Sequence, residues 1–283
     1  MKKQESRIPG MFPHLANAAA FIDTIEIAVW GKKRTKVLNY IRQKQNRAIG
    51  GFGKSYARCI PGRNTPTGNP LQLKYGVMLP YGNISPGVVV LWADRLPVTC
   101  ADVMLAIDGF MRIGCRARVS KVELTFDTTG IPLERFTREL CTTARTFREI
   151  EGEYGTTIYI GGVNSPWQLR IYQKTHQIVR IEFMLRSTFL RSHGVIRPHE
   201  LSLLRRVHLW DHVSFREVDQ SQGDALPPRI RNHWIKVGHG LPPDMPACIV
   251  RKALRESRVD PSRWVVRSQR ERLLRRMLKN LIW

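Results

Sequence analysis

The sequence predicts an α+β fold, a mainly antiparallel sheet with helices on one face, followed by a basic helical C-terminal region. Three observations carry that expectation. Residues 119–130 (VSKVELTFDTTG), 167–174 (WQLRIYQK) and 179–186 (VRIEFMLR) alternate with period two, as half-buried strands do. Stretches with helical spacing separate or flank them. Apolar residues make up 42% of the chain at a mean hydropathy of −0.28, enough for a sizeable core and against wholesale disorder.

Taken in order, residues 1–20 read as a short arm, and FIDTIEIAVW (21–30), rich in β-branched and aromatic residues, as a first strand. Gly50 to Pro70 is dense in Gly, Pro, Asn, Arg and Lys and reads as a basic loop. Residues 71–79 and 87–92 read as strands around Pro80, Gly82 and Asn83. Thr99 to Gly114 has helical spacing, with Val103, Ala106, Ile107 and Phe110 on one stripe and Thr99 or Asp102 as the opening residue. A helix is expected from Pro132 to Ile150, since Pro suits a first turn, then a short strand over TTIYIGG (156–162). Residues 197–213 read as helical, and 219–246, with five prolines, as a linker or surface loop. The end of the chain reads as a basic amphipathic helix. Its apolar positions are Trp264, Leu273, Leu274, Met277, Leu278 and Leu281, and seven Lys or Arg fall between Arg263 and Lys279. The 283 residues correspond to about two domains at roughly 150 residues each. The expected division is 1–20, 21–195 and 196–283.

Lys and Arg number 46 against 23 Asp and Glu, a net charge of +23. That excess excludes an ordinary metabolic enzyme and points to a polyanionic partner. Arg267, Arg270, Arg275 and Arg276 are the expected phosphate contacts of the terminal helix, with a solvated helix face as the plain alternative. Five scattered cysteines without a CxxC pair support neither a zinc ribbon nor a secreted disulfide framework. No apolar run reaches the roughly 18 residues of a membrane span, and MKKQESRIPG is not followed by the apolar region of a signal peptide. A cytoplasmic protein with no membrane partner is expected. GGFGKS, with Gly50, Gly51, Gly53 and Lys54, lacks the upstream glycine of a phosphate-binding loop.

Side chains at i and i+2 share a face of a strand. Glu123, Thr125 and Asp127 therefore lie opposite Val122, Leu124 and Phe126, while Arg170, Tyr172 and Lys174 lie opposite Leu169 and Ile171. Arg180 and Glu182 lie opposite Val179, Ile181 and Phe183. If the strands are neighbours, one polar surface gathers all of these ionisable groups. Clustered carboxylates repel unless a cation sits among them, and hard oxygen donors suit Mg²⁺ or Mn²⁺. A tyrosine beside such an ion, flanked by Arg and Lys, is equipped to attack a phosphodiester. The plain alternative is solvated faces with ordinary Arg–Glu cross-strand pairs. Tyr159 is a second candidate nucleophile. His208 and His212 have ligand spacing without a third ligand, and His176 is a loop histidine close to Lys174.

The order VELTFD, TTIYIGG, SPWQLRIYQK, VRIEFMLRSTFL resembles the trans-acting replication initiators of rolling-circle plasmids and is similar to the gene II type proteins of filamentous phages. Those sequences show an acidic strand, then Thr-x-Tyr-x-Gly, Arg-x-Tyr-x-Lys and Arg-x-Glu. The resemblance covers about residues 119–195. It implies a nuclease domain over 21–195 that nicks one strand of a plasmid or phage origin and stays linked to the 5′ phosphate through tyrosine. It implies Tyr172 as nucleophile, Lys174 and Arg170 as phosphate neighbours, and Glu123, Asp127 and Glu182 as acidic residues holding Mg²⁺ or Mn²⁺. Arg180 is implied to position Glu182 or DNA. Double-stranded origin DNA and single-stranded DNA are the implied partners. A host helicase and a second copy of the chain stay open as others. A non-enzymatic DNA-binding replication or regulatory factor is the main alternative, and a basic coat protein the third.

Overall fold

The computed structural model describes residues 13–31, 58–61, 71–75, 87–93, 96–142, 144, 146–152, 155–218 and 265–283. Its strands are β1 (Ala20–Trp30), β2 (Arg58–Pro61), β3 (Leu71–Tyr75), β4 (Gly87–Trp92), β5 (Arg116–Thr129), β6 (Leu140–Thr142), β7 (Phe147–Gly152), β8 (Gly155–Ile160), β9 (Trp167–Thr175), β10 (Ile178–Arg186), β11 (Val213–Val218) and β12 (Val265–Arg267). Among the described residues nine strands form one antiparallel sheet in the order β2-β3-β4-β1-β5-β10-β9-β8-β7, and β12-β11-β6 form a second, smaller one. The fold is α+β and mostly sheet. The three strongly alternating segments are adjacent as β5, β10 and β9.

One face of this sheet is apolar and covered. Ile25, Val122, Leu124, Phe126, Ile171, Ile181 and Phe183 share a single buried cluster with Val103, Ile107 and Phe110 of α1 (Cys100–Arg112) and Phe136 of α2 (Leu133–Glu139). Phe189 and Leu190 of α3 (Ser187–Ser192) and Leu274, Met277 and Leu278 of α4 (Gln269–Lys279) join the same cluster. Each fully buried large side chain contributes about 1.5–3 kcal/mol. Phe126 also meets Phe183 and Trp210 edge-on, at centroid distances of 6.0 and 6.4 Å. The burial fixes the register, because a one-residue slip of β5 or β10 would drive Glu123 or Glu182 into this core. The opposite face is thereby held in one arrangement.

Thr99 opens α1 through a reciprocal cap with Asp102, and Ser268 caps α4 by accepting from the Glu271 N–H. The helix expected over 132–150 stops at Glu139. From Leu140 the chain is extended, because Leu140 pairs with Phe215 in the second sheet and Phe147–Gly152 pairs with β8 as a hairpin. Over 197–213 the structure has 3₁₀ turns at Pro198–Arg206 and Leu209–Asp211, followed by β11. Buried Leu201, Leu204 and Val207 recur every three residues, which is the 3₁₀ repeat rather than the α-helical one.

The described residues after 195 supply β11 and β12 of the second sheet and also pack into the main core. Leu201, Leu204, Leu209, Val213, Phe215 and Leu274 belong to the same core as the main sheet, so the division expected at 195/196 falls inside one hydrophobic core. The Ile282 N–H donates to the Ala20 carbonyl at 2.9 Å, and Asn280 Nδ2 donates to the Ala18 carbonyl at 3.3 Å. The expected 219–246 linker, Trp264, residues 1–12 of the arm, and the Gly50–Pro70 loop apart from β2 lie outside the described residues. Among the described residues no helix is long and apolar enough to cross a membrane.

Candidate active site

Residues opposite one another across an antiparallel ladder share a face, so the register places the polar side chains in rows. One row runs Arg148, Tyr159, Arg170, Glu182, Thr125 and Phe21 across β7, β8, β9, β10, β5 and β1. The next runs Ile150, Thr157, Tyr172, Arg180 and Asp127. The surface expected from the alternation is thus assembled, with Tyr172 at its centre.

The Tyr172 hydroxyl donates to Glu182 Oε1 at 2.9 Å. Arg170 donates to the other oxygen, Oε2, through Nε at 2.6 Å and through Nη2. The Arg170 guanidinium also lies 5.2 Å from the centre of the Tyr172 ring. Arg180 holds Asp127 with two bonds, Nε to Oδ1 at 2.5 Å and Nη2 to Oδ2 at 2.6 Å. Its Nη1 donates to Asp23 Oδ1 at 3.2 Å and lies 3.7 Å from Glu182 Oε1. Lys121 Nζ sits 2.5 Å from Glu123 Oε1.

Two members of the cluster stand on β-bulges. Asp23 is the extra residue of β1 between the pairs Ile22–Leu124 and Thr24–Glu123. Lys174 is the extra residue of β9 between the pairs with Val179 and Ile178. A bulge re-aims a side chain without breaking the sheet. Both bulged groups have their ionisation moved toward neutrality. Burial, and then Glu182 and Glu123, raise Asp23 from 3.8 to about 6 against the pull of Arg180 and Lys174. Burial and the Arg180 charge lower Lys174 from 10.5 to about 8, while Asp127, Asp23 and Glu182 act the other way. Burial and the Glu182 carboxylate push the Tyr172 phenol well above its usual range, so it keeps its proton at neutral pH. Burial pushes the Glu123 carboxyl up, yet Lys121 and Arg170 outweigh that and hold it below its usual range.

These pairings bear on the expected metal set. Four carboxylates (Asp23, Glu123, Asp127, Glu182) stand among four cations (Lys121, Arg170, Lys174, Arg180), so the charge that was to call for a divalent ion is met by side chains. Asp127, fully buried, spends both oxygens on Arg180, and Glu182 is engaged by Arg170 and Tyr172. Among the described residues no group of three or more His, Cys, Asp or Glu side chains is placed to hold a metal ion. As arranged, Glu123, Asp127 and Glu182 do not fit Mg²⁺ or Mn²⁺ as a joint ligand set.

The residues expected to touch DNA differ in exposure and partners. Arg180 is 2% exposed and bound to Asp127, so it does not stand on the surface. Arg270 donates to buried Glu139 through Nε at 2.7 Å and through Nη2. Arg275 donates to buried Glu271 at 2.9 Å and lies 5.1 Å from the Trp210 ring centre. Arg276 is exposed, and Arg267 is exposed while leaning on Glu271 at 3.5 Å. His212 stacks on Trp167, and His208 pairs with Asp211 at 3.8 Å, away from the Tyr172 cluster.

Asp23 is the site member that the sequence reading passed over. Its signal is the spacing of Ile22 and Ile25. They share the core face although three residues apart, which requires an extra residue between them. Compared with protein-family models and with curated proteins, the chain matches none.

Proposed function

We propose that this chain is a DNA nicking-joining endonuclease that uses Tyr172 as its nucleophile, of the kind that starts rolling-circle replication at a plasmid or phage origin. The observation that carries the reading is the Tyr172 hydroxyl, held 2.9 Å from the Glu182 carboxylate on a face it shares with Arg170, in a chain of net charge +23. Its proton passes to Glu182 as the phenolic oxygen attacks phosphorus. The bond from phosphorus to the 3′ oxygen breaks, and the departing oxygen takes a proton from the Lys174 ammonium to leave as a 3′ hydroxyl. The 5′ phosphate stays esterified to Tyr172. Return attack by a 3′ hydroxyl reverses the steps and rejoins the strand. Arg170, half-buried rather than enclosed, is the cation that faces the phosphate, while Arg180 keeps Glu182 and Asp23 in place. Origin duplex and single-stranded DNA are the substrates of this reading.

The complete pairing of the site's carboxylates favours the second reading, a DNA-binding factor without chemistry. One experiment separates the two. Labelled single-stranded oligonucleotides tiling the DNA around the gene are incubated with the chain and run on a denaturing gel. A covalent adduct that maps to Tyr172 and vanishes in Tyr172→Phe supports the enzyme. Retention without any adduct supports the binder.

A further inference from the structure

The hairpin of β7 and β8 sits at one end of the main sheet, next to β9, and its two faces differ in chemistry. Arg148 and Ile150 share the Tyr172 face with Tyr159 and Thr157, whereas Glu149 and Glu151 point to the other side. Thr156 donates to Glu151 there at 2.7 Å. On the Tyr172 face the Arg148 guanidinium lies 5.8 Å from the Tyr159 ring centre, and Arg170 stands directly opposite Tyr159. Arg148 is exposed, and Ile150 is 48% exposed, a large apolar side chain left beside a half-buried aromatic ring. Tyr159 and Tyr172 are diagonal neighbours across β8 and β9, a separation of roughly 7–8 Å between backbones.

We propose that Tyr159 is a base-stacking position for single-stranded DNA, with Ile150 beside the base and Arg148 and Arg170 on the flanking phosphates. Aromatic rings interleaved with guanidinium groups are what a single strand needs, because every base has a face to stack and every linkage a charge. A base entering over Tyr159 takes the place of the Arg148 guanidinium and frees it for a phosphate. The neighbouring linkage then lies toward Tyr172. This inference rests on the nicking-joining reading and gives Tyr159 a binding task in place of a nucleophilic one.

The test uses the full chain carrying Tyr172→Phe, so that the probe is not consumed, and fluorescence anisotropy with a labelled oligo-dT and an abasic oligonucleotide of equal length. Tyr159→Ala is expected to weaken oligo-dT binding by about 5- to 150-fold, the loss of one stacked base. It should leave abasic binding unchanged, and Tyr159→Phe should restore the oligo-dT affinity. Arg148→Gln should weaken both probes and flatten the salt dependence by about 0.7 units. That variant keeps the inference testable if Tyr159→Ala misfolds. Unchanged oligo-dT binding by Tyr159→Ala, or an equal loss on both probes, overturns the inference. An adduct at Tyr172 in the unmutated chain together with unchanged Tyr159→Ala binding overturns the stacking inference alone. No adduct together with base-dependent loss at Tyr159 overturns the nuclease reading and leaves the stacking position standing.

Discussion

Arg180 and Asp127 stand directly opposite each other on β10 and β5 and are joined by two hydrogen bonds of 2.5 and 2.6 Å. Both side chains are shut off from water. From this anchor the guanidinium extends its remaining arm between Asp23 and Glu182. The pair therefore sets where Glu182, which accepts the Tyr172 hydrogen bond, sits.

Removing one partner of a buried ion pair leaves the other uncompensated, at a cost of about 3–5 kcal/mol. Asp127→Ala is accordingly expected to lower stability by that amount in urea denaturation. A metal-ligand role would leave the urea midpoint alone and move the Mg²⁺ or Mn²⁺ concentration for half-maximal cleavage instead.

Asp23 gives stability a pH dependence of defined sign. Its folded value, about 6, lies above its ordinary 3.8, so the folded state binds the extra proton between those limits. The contribution is fully present below 3.8 and is lost as pH rises through about 6. Unmutated chain should therefore gain stability relative to Asp23→Asn as pH is lowered across that window. Parallel melting curves for the two proteins would show no closing gap if Asp23 titrates normally.

In the nicking-joining reading, Lys174 sets a limit on the chemistry. Its ammonium is lost as pH rises through about 8, and with it the proton offered to the departing 3′ oxygen. Single-turnover nicking should decline over that range. Lys174→Arg, which keeps the charge but does not give up its proton, should slow nicking at every pH and remove the declining limb. A limb that stays in place would assign the titration to another group.

On α4 the exposed arginines separate from the committed ones. Arg270→Gln leaves buried Glu139 without its two-pronged partner and should cost about 1–3 kcal/mol of stability, with no change in the salt dependence of DNA binding. Replacing exposed Arg272 and Arg276 together by Gln should flatten that dependence by about 1–2 units while sparing stability. Equal salt slopes in both variants would move the general DNA contacts off this helix.

The Tyr172 face was legible because strand alternation is insensitive to long-range detail. Arg170, Tyr172, Arg180, Glu182 and Asp127 land together once β5, β10 and β9 are neighbours. The pairing among them was not legible, since it depends on register, and register is set by packing on the other face. That is why Asp127 and Glu182, which looked like metal ligands, have arginines opposite them. The bulge at Asp23 interrupts the alternation along β1, so strand period alone does not bring Asp23 to the Tyr172 face. Arg270 and Arg275 fell on a polar helix stripe, and nothing local reveals that buried Glu139, 131 residues away from Arg270, lies beneath one of them. The end of α2 at Glu139 was hidden for the same reason, because Leu140 turns extended to meet β11.

The clasp between Ala18–Ala20 and Asn280–Ile282 joins positions 262 residues apart along the chain. A ribosome delivers the segment that bonds to the start of the Asp23 strand 262 residues after that start. During synthesis that end of β1 therefore waits without its final hydrogen bonds, although β4 and β5 are already available to pair with the rest. Contacts of such long separation are slow to form. The nascent chain thus holds the Tyr172 strands before the start of the Asp23 strand is fastened.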